Sequence, residues 1–253
     1  MQSVVPKKSL GQHFLKDENI ARKIVSSLKA NERILEIGPG TGVLTKYLIP
    51  VCKDFKAIEI DKEVVGFLEK EFPELENRII NDDFLKCDLN SLFEGSFSII
   101  GNFPYNISSQ IFFKIINYQA IIQEIVCMLQ KDVAERLAAK PGNKSYGVLT
   151  VILGAYYKIK YLFTVNEQVF FPPPKVKSAV IRLERTAEKY PDIDEKLFFN
   201  IVKTGFNQRR KTLKNSLRKL WTDKINPDDY PVFNKRPEQL TINDFFDLTK
   251  ILS

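Results

Sequence analysis

The stretch Arg33-Ile34-Leu35-Glu36-Ile37 reads as a buried strand and runs straight into Gly38-Pro39-Gly40-Thr41-Gly42, after which Val43 to Leu48 takes up helical spacing. Strand, glycine-rich turn and helix in that order open a Rossmann-type unit, because the turn lets backbone approach a ligand at the helix N-terminus. A second strand, Phe55 to Ile60, carries Glu59 roughly 20 residues downstream, the distance at which an acid holds two ribose hydroxyls. The glycines follow Gly-x-Gly-x-Gly and not the dinucleotide pattern Gly-x-Gly-x-x-Gly, and acids gather nearby at Glu36, Glu59, Asp61, Asp82 and Asp83. Carboxylates around the turn repel a pyrophosphate and suit a cation. A sulfonium cofactor, S-adenosylmethionine, fits this pattern better than NAD.

The next strands end in chemistry as well. Arg78-Ile79-Ile80 leads to Asp82-Asp83, and Phe97-Ser98-Ile99-Ile100-Gly101 leads to Asn102-Phe103-Pro104-Tyr105. Four successive strand ends meeting at one crevice is the doubly wound α/β arrangement, in which ligands bind outside the carboxyl ends of the strands. Asn102 offers an acceptor, a backbone carbonyl of the Pro104 turn offers a second, and Tyr105 offers a flat face for a base. Two acceptors pulling on an aromatic NH2 favour the form whose lone pair is free, so positioning and electrostatics lower the barrier without a strong base. Alone, the tetrapeptide also suits a plain strand-end turn with a packed tyrosine. The surrounding strand ends favour the chemical reading.

Further along, Ser108 to Ile116 is expected as helix, Ile122 to Gln130 as buried strand, and Lys131 to Ala139 as helix. Lys140 to Ser145 is a polar loop with two lysines, within reach of RNA or simply surface. A helix over Tyr146 to Tyr156 and a strand over Lys158 to Val165 follow. Phe170 to Val176 is too proline-rich for helix and precedes a strand, Ser178 to Leu183, expected to pair antiparallel with the one before it. The composition then turns charged and helical, which places a boundary near Thr186: residues 1–186 as one domain with an N-terminal arm, residues 187–253 as a second.

Net charge is +7, and its placement matters more than its size. Lys203 to Lys224 holds eight basic residues against one acid, Asp223, while the rest of the chain carries 30 of each sign. One helix is expected here, with Phe206, Leu213, Leu217 and Leu220 as its apolar stripe and Arg209, Arg210, Lys211, Lys214, Arg218 and Lys219 over the remainder. A solvated face mixes signs; a single-sign face attracts a polyanion. Cys52, Cys87 and Cys127 are scattered and odd in number, and His13 is the only histidine, so neither a disulfide framework nor a zinc cluster is expected and no metal is assigned. No run approaches the ~18 apolar residues of a membrane span, and Met1 to Leu15 has no apolar signal core, so a soluble cytoplasmic protein is expected.

These residues together resemble the rRNA adenine N6,N6-dimethyltransferases, most closely the bacterial small-subunit (16S) kind associated with kasugamycin resistance. The resemblance runs through Gly11 to Leu15, Glu36 to Gly42, Ile58 to Asp61, Asn102 to Ser108, Phe170 to Val176 and Phe206 to Thr212. It implies a Rossmann-like class I methyltransferase fold, a mostly parallel seven-stranded sheet with helices on both faces, and a small all-helical C-terminal domain that binds RNA. It implies S-adenosylmethionine held by Gly38, Gly40, Glu59 and Asp83, with His13, Leu15 and Asn102 also lining the cofactor. Asn102 and Pro104 are implied to present the adenine N6, with Tyr105 and Phe170 sandwiching the everted base, and Arg209, Arg210, Lys211 and Lys214 to contact RNA. The implied partner is 16S rRNA in the immature small ribosomal subunit, met by a monomer. His13 stands where that family often has Asn, and Phe103 where Leu or Ile is usual. Two alternatives stay open at this point: a 23S rRNA dimethyltransferase of the macrolide-resistance type, against which the Phe206 to Thr212 segment argues, and an assembly checkpoint protein that works mainly by binding.

Overall fold

The computed structural model describes residues 4–186, 192–221 and 225–253. Its strands are β1 (Phe14–Leu15), β2 (Arg33–Ile37), β3 (Asp54–Glu59), β4 (Ile79–Asn81), β5 (Phe97–Asn102), β6 (Ile122–Gln130), β7 (Tyr157–Val165), β8 (Phe170–Phe171) and β9 (Ser178–Arg185). Its helices are α1 (Glu18–Val25), α2 (Thr45–Leu48), α3 (Lys62–Glu71), α4 (Ser108–Asn117), α5 (Lys131–Leu137), α6 (Val148–Tyr156), α7 (Glu195–Asn207), α8 (Leu213–Ser216) and α9 (Ile242–Leu252). Among the described residues, no helix is long and apolar enough to cross a membrane.

Seven strands form one sheet in the order β4-β3-β2-β5-β6-β9-β7. β4 through β6 pair in parallel, and β9 runs antiparallel to β6, so the sheet is mixed but mostly parallel, as expected. A parallel strand covered on both faces reads as a continuous apolar run, which is why Phe97 to Ile100 and Ile125 to Leu129 carry no alternation and are wholly buried. The order reverses between β2 and β5, the switch point at which crevices form in such sheets. Gly101 sits there: a Cβ on it would lie 2.4 Å from the Ile37 carbonyl oxygen, so only glycine lets the two strands run this close just before Asn102.

Helices enter where local chemistry caps them. Asp17 accepts from the backbone N–H groups of Asn19 and Ile20 and starts α1, whose Ala21 and Ile24 are buried. Asp61 caps α3 by accepting from Glu63 N–H at 3.1 Å.

The chain divides into two compact units, Met1–Ala134 with Ile159–Arg185, and Glu135–Lys158 with Thr186–Ser253. The chain passes between the units at residues 185 and 186, and residues 135–158 lie with the C-terminal unit and not with the rest of the first 186 residues. The reason is packing: α6 contacts α7 and α9, and the Tyr146 ring lies 6.1 Å from that of Phe206. The expected basic helix is also interrupted. α7 ends at Asn207, Gln208 leaves helical geometry at φ −118° and ψ 41°, and a short α8 restarts at Leu213 behind an extended Thr212. Leu213 and Leu217 are fully buried, whereas Phe206 and Leu220 are only half-buried. Asp223 and Lys224 lie outside the described residues.

Candidate active site

Register brings the strand ends level. Ile37 lies opposite Ile58 on one side and Gly101 on the other, and Glu59 lies opposite Asn81. The residues at and just after these positions, Gly38, Glu59, Asp82, Asp83 and Asn102, therefore share one rim. They line a cavity of about 300 Å3 together with Pro104, Tyr105 and the arm residues Gly11 to Phe14, a volume usual for small-molecule sites. Gly38 and Gly40 hold the turn open at φ 65° and 55°. A Cβ on Gly40 would stand 2.9 Å from the Phe14 ring, so the arm closes directly over the turn.

The wall suits a cationic nucleoside. Among the described residues, three carboxylates, Glu59, Asp82 and Asp83, line the cavity and no Lys or Arg does, which favours a sulfonium and disfavours a pyrophosphate. Ile60 is half exposed at the cavity edge, an apolar seat beside Glu59 for a purine ring. The residues thus fit S-adenosylmethionine: Glu59 for the ribose, Asp83 and Ile60 for the adenine, the Gly38 to Gly40 turn for the amino-acid end.

Asn102 is oriented by the arm. Its Nδ2 donates to the His13 backbone oxygen at 2.9 Å, and a carbonyl can only face the NH2 end of the amide, so Oδ1 is left as an acceptor at the cavity. The Pro104 carbonyl accepts from Ile107 N–H at 3.2 Å and keeps one lone pair unused. Tyr105 stacks on the His13 ring with centroids 5.6 Å apart and shares a 2.5 Å hydrogen bond with Ser178. Burial pushes its hydroxyl pKa up, so it stays protonated. His13 Nδ1 also meets the Pro172 carbonyl at 2.7 Å, tying arm, tyrosine and proline-rich turn together.

The remaining acids have other work. Burial alone raises Asp61, but the Lys7 ammonium at 2.7 Å, the Gln12 amide and the Glu63 N–H together hold its carboxyl below the ordinary range. Asp61 thereby anchors the base of the arm. Glu36 is fully buried and accepts from Thr45 Oγ1 at 2.7 Å. Burial, with Glu59 as a like-charged neighbour, pushes its pKa up from 4.5 to about 8. The sign follows from linkage: below pH 4.5 the carboxyl is neutral whether folded or unfolded, whereas from there to about pH 8 only the unfolded chain ionises. Stability is therefore expected to fall with rising pH across that window, by an amount of order several kcal/mol. Glu36→Gln is expected to flatten the fall, as read by urea unfolding at pH values on either side of it.

Two expected site residues sit on the wrong face. Leu15 is 4% and Phe170 1% exposed, and both belong to the core beside Met128 and Val180. In the β1 and β8 pair Phe14 lies opposite Phe171 and Leu15 opposite Phe170, and neighbouring strand residues point to opposite faces. Phe14, not Leu15, lines the cavity. Phe170 has no free ring face for a base, and the exposed ring on that strand is Phe171, at 55%. Sequence reasoning also passed over Ile60 and the anchoring of the arm by Asp61; an apolar residue directly after the ribose acid was the available signal for the first.

The RNA candidates lie in the other unit and divide into two kinds. Arg210 and Lys211 are exposed. Lys214 is ion-paired with Asp228, and Arg209 donates to the backbone oxygens of Lys144 and Asn143 at 2.5 and 3.2 Å. Arg209 is thus committed inside the protein.

Sheet order, acid-lined crevice and oriented asparagine define a Rossmann-like, S-adenosylmethionine-dependent methyltransferase. The sequence matches the family described as ribosomal RNA adenine dimethylase over residues 5–252, and the chain belongs to that family. It is 54% identical to the ribosomal RNA small subunit methyltransferase A of Parabacteroides distasonis, over 99% of this chain and 95% of the relative. It is 52% identical to the protein of the same name from Cytophaga hutchinsonii, over 100% of this chain and 99% of the relative. Among solved structures it resembles a dimethyladenosine transferase from Plasmodium falciparum, with TM-score 0.80 and 27% identity over 93% of this chain and 96% of that one. The protein is an rRNA adenine dimethyltransferase, and S-adenosylmethionine is its methyl donor.

Proposed function

We propose that this enzyme dimethylates N6 of two adjacent adenines in the 3'-terminal hairpin of 16S rRNA, acting in the cytoplasm as a monomer on the immature small ribosomal subunit. The target base leaves its stack to enter the crevice, at a cost of a few kcal/mol. Tyr105 supplies a face for it, and Asn102 Oδ1 with the Pro104 carbonyl accepts the N6 hydrogens so that the nitrogen lone pair points at the donor. Bound S-adenosylmethionine supplies the methyl as an electrophile activated by its sulfonium. The acids of the rim favour that cation, and burial excludes water from it.

The observation that carries this reading is the amide of Asn102, held by the His13 carbonyl with its oxygen turned to the same cavity that Glu59 lines. The full-length likeness to relatives named as small-subunit methyltransferases supports the choice of substrate. RNA binding is assigned mainly to the C-terminal unit, through Arg210 and Lys211. A competition decides the substrate: with labelled S-adenosylmethionine and equal amounts of unmethylated small subunits, large subunits and DNA, label is expected on small subunits. Label confined to large subunits or DNA contradicts the proposal, and tight small-subunit binding without transfer reassigns the protein to an assembly role.

A further inference from the structure

The loop Lys140 to Ser145 is exposed along its whole length, yet its backbone is held at several points. Gly142 N–H donates to the Glu238 backbone oxygen at 2.7 Å, and Ser145 N–H to Asn143 Oδ1 at 2.8 Å. The Arg209 guanidinium captures the Asn143 and Lys144 carbonyls with two nitrogens while its Nε lies 3.7 Å from Glu238 Oε2. A planar guanidinium serves two acceptors and a carboxylate at once, which a lysine ammonium on a flexible stem does not reproduce.

The clamp has an electrostatic consequence. Glu238 offsets the charge of Arg209, and the loop is fixed beside the start of the exposed Arg210-Lys211 pair. Lys140 and Lys144, 65 or more positions earlier in the chain, are thereby joined to Arg210 and Lys211 on one unit, with all four side chains exposed. No carboxylate lies within the Lys140 to Ser145 or Arg209 to Lys211 segments themselves.

We propose that these four residues form one phosphate-binding surface for the RNA substrate, and that Arg209 is its positioning residue and not a phosphate ligand. The inference rests on the proposed rRNA substrate and adds two lysines from a segment outside the basic tail. Each phosphate contact contributes close to one to the salt slope of binding, so a residue that binds RNA and one that only holds the loop give different signatures.

The experiment measures binding of unmethylated small subunits as a function of salt for the wild type, Lys140→Gln/Lys144→Gln, Arg210→Gln and Arg209→Lys, with S-adenosylmethionine affinity measured alongside. The lysine pair is expected to lower the steepness of the salt dependence by about two and Arg210→Gln by about one, with cofactor affinity unchanged. Arg209→Lys keeps the charge, yet is expected to weaken RNA binding and to speed tryptic cleavage after Lys144, the loop lysine not followed by proline; restoring arginine reverses both. An unchanged slope in the lysine pair overturns the surface, and Arg209→Lys with wild-type affinity and wild-type cleavage overturns the clamp. Wild-type methylation of small subunits is scored separately, so a failed substrate assignment is visible as no transfer by any variant, whereas a failed surface leaves transfer intact and slopes unchanged.

Discussion

Asn102→Ala is expected to lower kcat by about 10^2- to 10^3-fold, the loss typical when one preorganised polar group at a reacting centre is removed. The side chain is not needed to build the sheet: it ends β5, faces the cavity, and makes its hydrogen bond to the arm and not to the core. The truncated enzyme is therefore expected to fold, to bind S-adenosylmethionine within a few-fold of the wild type, and to keep its affinity for small subunits. Single-turnover transfer at saturating cofactor, with binding measured separately, distinguishes this from a general loss of structure. Asn102→Asp is a useful companion. It keeps an acceptor toward the substrate but sets a carboxylate oxygen against the His13 carbonyl, so it is expected to retain less activity than its charge alone suggests. Transfer at the wild-type rate by Asn102→Ala removes the residue from the chemistry.

The second large effect belongs to Glu59. It is 5% exposed, accepts from Asp61 N–H at 2.9 Å, and lies level with the glycine turn across the β2 and β3 pair. We propose that Glu59 accepts from the two ribose hydroxyls of the cofactor; Glu59→Ala then removes an ionised acceptor, hydrogen bonds to charged groups contribute about 1.5–3 kcal/mol, and cofactor affinity is expected to fall roughly 10- to 100-fold. RNA affinity is expected to stay. A pH signature accompanies it. Burial lifts the Glu59 carboxyl above the ordinary 4.5, so its ionised form, the one proposed to hold the ribose, is lost at a higher pH than for an exposed glutamate. Cofactor affinity is therefore expected to weaken as pH falls through that raised pKa, and titration calorimetry of Glu59→Ala is expected to show no such weakening.

The parts of this molecule that could be read from the sequence are those where chemistry and punctuation coincide. Each sheet strand up to β5 ends in residues that break it and do something: Gly38 to Gly42 after β2, Asp82 and Asp83 after β4, Phe103 and Pro104 after Asn102. Such ends are local signals, and the parallel order of the sheet follows once there are enough of them. The β1 and β8 pair was harder. Its partners are more than 150 positions apart, and a strand of two residues has too little pattern to show which residue faces the core. An offset of one reverses the face: Phe14 lines the cavity while Leu15 lies in the core, and Phe171 is exposed while Phe170 is buried.

The basic tail shows another limit. Of the expected stripe Phe206, Leu213, Leu217 and Leu220, only Leu213 and Leu217 are fully buried, and a break at residues 208–212 divides the segment, because tertiary packing around Leu213 overrides local propensity there. Nor does charge say where a charge is spent. Arg209 and Arg210 are adjacent and alike in sequence, yet one holds two carbonyls of a distant loop while the other faces solvent. Only the fold separates them.

The most direct test places the reaction on the RNA. Purified enzyme, S-adenosylmethionine and unmethylated small subunits are incubated to completion, and the 16S rRNA is digested and mapped by mass spectrometry. Two neighbouring N6,N6-dimethyladenines near the 3' end, absent when Asn102→Ala replaces the wild type over the same period, are the predicted result. Methyl groups at another atom or another site, or full dimethylation by the variant, contradict it.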